Sequence, residues 1–163
     1  MAEPPYPEKF EEQDHIPEPY LVAIGRVTVN WCYLESVAEL TIVKLAAFDL
    51  NDPRGVILTV HMNWPQKMDV LEALVHTLEG DHPHLTKKFE TSKPLLTQAQ
   101  KGRNRIVHGQ WGNNPEKGMV KVRLSARGKL KFGIEPVSLE EIKSISLDIG
   151  NASLSLLKMV LNK

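Results

Sequence analysis

From about residue 20 to residue 48, apolar side chains recur at helical spacing with no proline to interrupt them. Ile24, Trp31, Ala38, Ile42 and Leu45 form one stripe, with Val27, Leu34, Thr41 and Phe48 beside it. That recurrence predicts one long amphipathic helix of roughly 28 residues, about 42 Å at 1.5 Å per residue. Asn51-Asp52-Pro53 predicts its stop and a capped start for a short helix over residues 55–61. Asn63-Trp64-Pro65 opens the next helix, in which Met68, Leu71, Leu74, Val75 and Leu78 face inward and Gly80 marks the end. A further long helix is expected from about His84 to His108 on Phe89, Leu95, Leu96, Ala99, Ile106 and Val107, with Pro94 either kinking or splitting it.

After Gly109 the period changes from helical to two. Val120, Val122 and Leu124 alternate with Lys121 and Arg123, and Leu130, Phe132 and Ile134 alternate with Lys131 and Gly133. With Gly128 between them, these runs predict a β-hairpin at about 119–135. One hairpin alone is marginal, so its apolar face has to pack on helices. Ser138 followed by Glu141 reads as a capping box opening a last helix, carried by Leu139, Ile142, Ile145, Ile149, Leu156, Met159 and Val160 and weakened mid-way by Gly150-Asn151. The expected fold is mainly α: a bundle of about four main helices with an inserted β-hairpin, over residues 20–163.

Composition narrows the class. A 163-residue chain is one domain by prior and long enough to bury roughly 70% of its unfolded surface. No apolar run approaches the roughly 18 residues of a membrane span, and the acidic, Pro-rich start does not read as a signal peptide. The single cysteine, Cys32, cannot close an internal disulfide, so the cytoplasm is the expected location. Residues 1–19, with five prolines among acidic residues, read as an extended or disordered arm.

Net charge is zero but unevenly spread: residues 1–20 carry −5, and residues 101–131 carry nine basic residues against Glu116. Such a basic block either receives an anion such as a phosphate backbone or is a solvated face that keeps the protein soluble. The Asp81-His82-Pro83-His84 loop has no second cluster at ligand spacing, so no metal site or cofactor is expected.

Within the basic block, Arg103-Asn104-Arg105-Ile106-Val107-His108-Gly109 concentrates the chemistry at a helix end. One reading is structural: cations in a last turn complement the helix dipole, and Gly109 suits the left-handed position beyond it. That reading leaves Asn104 and Trp111 without a reason. The other is functional. A guanidinium grips two oxygens of one phosphate, and histidine moves protons near neutrality. Together they suit metal-independent cleavage of RNA, in which the substrate's own 2′-hydroxyl is the nucleophile. One geometric difficulty stands: residues five apart on a regular helix lie about 140° apart. Fraying at Gly109, or two copies meeting across a dimer axis, would be needed to bring Arg103 and His108 together.

Arg103, Asn104 and, after four intervening residues, His108, at a helix end in a small helical protein, resemble the motif of the HEPN superfamily. Gly25-Arg26, Trp31 and Leu34-Glu35 in the first helix, and His108-Gly109-Gln110-Trp111-Gly112 after the motif, are similar to small bacterial and phage members. The resemblance covers roughly residues 20–112 and the final helix. It implies a homodimer with a composite cleft, metal-independent endoribonuclease activity and a toxin or defence role opposed by an antitoxin protein. It also implies that Arg103 binds the scissile phosphate, His108 transfers protons and Asn104 orients one of them. Arg105, Lys121 and Arg123 are the candidates for contacting RNA, with Glu35 a further candidate beside Arg103. The hairpin, which the minimal bundle lacks, either widens the RNA-binding face or extends the dimer contact. Many HEPN-like proteins are non-catalytic, so a binding or interaction module is the alternative.

Overall fold

The computed structural model describes residues 16–114, 116–125 and 131–161; the side chains of 123–125 and 131–132 fall outside that description. The N-terminal arm up to residue 15, and the hairpin loop with Arg127 and Lys129, therefore lie outside the described residues. The fold is mainly α, a helical bundle with a small antiparallel sheet. Among the described residues the order is α1 (Glu18–Leu45), α2 (Pro53–Thr59), α3 (Trp64–Thr77), α4 (Pro83–Val107), β1 (Gln110–Asn114), β2 (Gly118–Ser125), β3 (Lys131–Pro136) and α5 (Leu139–Leu161).

α1 begins two residues before the expected start, because Pro19 sits in the first turn, where its missing N–H costs nothing. It ends at Leu45 in a double turn: Phe48 N–H donates to the Val43 carbonyl at 3.1 Å and Ala47 N–H to Lys44 at 3.2 Å. Ala47 therefore takes the left-handed position, φ +60°, that glycine usually fills. Asn63 caps α3 in a full capping box with Gln66. Pro94 neither splits nor ends α4, which runs unbroken through it. The proline is exposed, so the Glu90 carbonyl it leaves without an amide donor can turn to water. At Ser138 only half of the expected box forms. The hydroxyl accepts from Glu141 N–H at 3.1 Å, but the Glu141 carboxylate is engaged by Arg105.

The sheet has three strands, not two, in the order β1-β2-β3. β1 was not expected, since Gln110-Trp111-Gly112-Asn113-Asn114 has no alternating apolar pattern. It pairs antiparallel with β2, Trp111 opposite Lys121 and Asn114 opposite Gly118. The connection closes where Asn114 Oδ1 accepts from Glu116 N–H and Lys117 N–H, both at 3.0 Å, and Gly118 takes φ +69°. β2 and β3 form the expected hairpin, Val122 opposite Ile134.

The chain divides into two compact units: residues 16–28 with 102–146, and residues 29–101 with 147–161. The first contains the sheet and buries Ala23, Val27, Ile106, Val120, Val122, Val137, Ile142 and Ile145. The second contains α2 and α3 and buries Trp31, Leu34, Leu71, Val75, Phe89, Leu96, Ile149 and Leu156. Within it Trp31 and Trp64 pack with ring centroids 4.6 Å apart, and Lys67 is buried with its ammonium 2.9 Å from Glu39.

Candidate active site

The helix-to-strand junction after α4 places the site. The last helical bond there is His108 N–H to the Asn104 carbonyl, 3.3 Å, and α4 itself ends at Val107. His108 and Gly109 form a bend, and Gly109 takes φ +115°, a region closed to side-chain-bearing L residues. A Cβ at Gly109 would lie 3.0 Å from the Val122 carbonyl oxygen and 3.1 Å from Lys121 Cε, so the turn lies directly on β2. Trp111 completes the stop: its indole N–H donates to the Ile106 carbonyl at 3.2 Å, satisfying an acceptor the helix end leaves open.

Because His108 has left the helix, the 140° separation does not apply. Arg103 Nη1 lies 2.7 Å from His108 Nε2 and donates to Asn104 Oδ1 at 3.1 Å. The three motif residues meet within one chain. Arg103 is half-buried, whereas Asn104 and His108 are exposed, so the cluster opens to solvent. A guanidinium has only N–H donors, so within this contact it is Nε2 that takes the acceptor part. The site thus presents a fixed cation touching the lone pair of a potential base.

The other candidates divide. Arg105, expected to contact RNA, forms ion pairs with Glu135 of β3 and Glu141 of α5. Burial works to lower its pKa, but the hydrogen bond it donates to Glu141 and the charge of Glu135 outweigh it and raise the pKa overall. Its role is to hold the end of α4 to the sheet and to the first turn of α5. Lys121, also expected to face RNA, is 2% exposed, and its ammonium lies 5.8 Å from the Trp111 ring centroid. β2 is the central strand and buries Met119, Val120, Lys121 and Val122 in succession, so the polar half of the alternation does not reach water there. The Arg123 backbone pairs with Gly133, and its side chain lies outside the described residues. Glu35 is half-buried on the α1 segment of the second unit.

Four further residues support this junction, Gly102, Trp111, Glu135 and Glu141; the sequence marked Trp111 only as adjoining the motif and Glu141 only as part of a cap. A Cβ on Gly102 would meet Ile145 Cγ2 at 2.9 Å, which marks a close approach of α4 to α5 immediately before Arg103. Of these, Glu135 left no signal in the sequence, and the capping pattern at Glu141 does not point to Arg105. His82 and His84 pack edge to face at 5.9 Å, and among the described residues no three His, Cys, Asp or Glu side chains gather at metal-binding distance.

The chain matches no known family model, no curated protein and no solved structure. The functional reading therefore rests on this geometry and on the motif. No helix among the described residues is long and apolar enough to cross a membrane.

Proposed function

We propose that this chain is a metal-independent endoribonuclease of the HEPN type, with Arg103, Asn104 and His108 as its catalytic residues. The observation that carries the reading is the 2.7 Å contact between Arg103 Nη1 and His108 Nε2 at a solvent-open helix end. Arg103 engages a non-bridging oxygen of the scissile phosphate, and this engagement releases Nε2 from the guanidinium. His108 Nε2 then removes the proton of the adjacent 2′-hydroxyl. The 2′-oxygen bonds to phosphorus, the bond from phosphorus to the 5′-oxygen breaks, and that oxygen takes a proton from water. The product is a 2′,3′-cyclic phosphate and a 5′-hydroxyl. Arg103 stabilises the charge that gathers on the phosphoryl oxygens, and Asn104, which accepts from the same nitrogen, keeps the guanidinium aimed.

The test is incubation of purified chain with mixed RNA in EDTA, beside His108→Ala. Fragmentation by the wild type alone supports the proposal, and equal cutting by the variant defeats it. Salt-sensitive binding with no fragmentation by either protein would instead favour a non-catalytic nucleic-acid-binding module. A homodimer, and an antitoxin that restrains it, belong to the same proposal; light scattering of the free chain tests the first.

A further inference from the structure

The second unit carries a surface that the proposed catalysis does not use. Along α5, Leu147, Leu154 and Leu161 recur every seven residues and are 70%, 55% and 68% exposed. Seven residues come within about 20° of two full turns, so the three leucines form one continuous stripe about 21 Å long. Beside Leu154 runs a groove of about 580 Å³ whose other wall is α4. On that wall His84, Lys87, Lys88, Thr91, Ser92 and Leu95 occupy i, i+3, i+4, i+7, i+8 and i+11, a single helix face.

The groove looks polar in sequence but is apolar where it counts. The Thr91 and Ser92 hydroxyls donate to the carbonyls of Lys87 and Lys88, each at 2.9 Å, and Ser155 donates to Ala152 at 2.7 Å. These small side chains have their hydrogen bonds inside their own helices, so they hollow the groove without requiring a polar ligand. Leu95 and Leu154 supply its hydrophobic lining. Lys88 ties one end by donating to the Lys158 carbonyl at 3.1 Å, and Gln98 to Asp148, 2.8 Å, ties α4 to α5 further along. In a chain with equal numbers of acids and bases, the groove lining holds Lys87, Lys88, Lys158 and His84 and no carboxylate.

We infer that this face docks an amphipathic helix of a partner protein, with leucine-like residues at heptad spacing and acidic residues flanking them. The stripe sets the spacing, the groove accepts the knobs, and the lysine rim sets the sign of the flanks. A second copy of this chain docking about a two-fold axis would bring its own Lys87, Lys88 and Lys158 against these, a like-charge contact that works against it.

The probe is a fluorescent three-heptad peptide with leucines at the a and d positions and glutamates at e and g, titrated with the full chain; a lysine-flanked peptide is the control. The acidic probe is expected to bind at least about tenfold tighter than the basic one, with affinity falling as salt rises. Lys87→Glu with Lys158→Glu should reverse that preference. Leu154→Glu, at an exposed position that leaves the core intact by circular dichroism, should abolish binding. No binding of the acidic probe, equal binding of both probes, or unchanged binding by Leu154→Glu would overturn the inference. So would a wild-type dimer that Leu154→Glu converts to monomer, which would assign the face to a second copy. A rise in probe affinity when Glu8, Glu11, Glu12 and Asp14 are changed to their amides would assign it to the chain's own N-terminal residues, and equally overturn it.

Discussion

Replacing Gly109 by alanine tests whether the junction that presents His108 is built as described. At φ +115° a non-glycine residue carries a strain on the order of 1–3 kcal/mol. The new methyl would also lie 3.0 Å from the Val122 carbonyl oxygen and 3.1 Å from Lys121 Cε. The lysine stem can give a little. The carbonyl belongs to the central strand and cannot move without disturbing its ladder, so overpacking adds about 1 kcal/mol. The expected loss is about 2–4 kcal/mol, a large share of the roughly 5–15 kcal/mol by which such domains are stable. Urea unfolding measures it, read as a shift of midpoint at constant slope. Gly118→Ala is the internal control: its φ of +69° is left-handed, but nothing lies within 4 Å of the added methyl. That change should cost only about 1–2 kcal/mol. If Gly109→Ala costs no more than Gly118→Ala, the close packing of the turn on β2 is wrong, and with it the account of how His108 leaves the helix.

Other outcomes follow from the same geometry. Arg105→Met should destabilise by about 1–2 kcal/mol, discounted for the partial exposure of its ion pairs, and part of the loss should vanish in high salt, because Glu135 and Glu141 are left facing each other without their cation. Ala47→Gly should stabilise by about 0.5–1 kcal/mol in thermal unfolding, relief of the left-handed strain outweighing the greater freedom of the unfolded chain. Since Arg103 and His108 meet within one chain, mixing Arg103→Ala with His108→Ala should not restore cleavage; recovery would show that the pair assembles between chains.

Much of the fold could be read from the sequence where the signals were local. The helical stripe on α1, the caps at Asn63 and Ser138 and the period-two runs of β2 and β3 each depend on residues a few positions apart. β1 escaped because its five residues carry two asparagines and a glycine; pairing with β2, not propensity, makes it a strand. It also hid the fate of Lys121. Alternation assigns a residue to one face of a strand but cannot say whether that face is covered; Lys121 is buried, with its ammonium by the ring of its cross-strand partner Trp111. The ion pairs of Arg105 join residues 30 and 36 positions away, a distance no local pattern spans. At the site, the residue types were legible and their contact was not: a regular helix keeps Arg103 and His108 apart, and only the bend at Gly109 brings them together.

The central claim is that Arg103 and His108 cut RNA through its 2′-hydroxyl. The most direct measurement uses an end-labelled oligonucleotide that the chain cuts at one position, compared in EDTA with the same oligonucleotide bearing a single 2′-deoxy substitution there. The account predicts a 2′,3′-cyclic phosphate end from the first and no cut at the substituted position of the second. Cleavage that survives the 2′-deoxy substitution would contradict it.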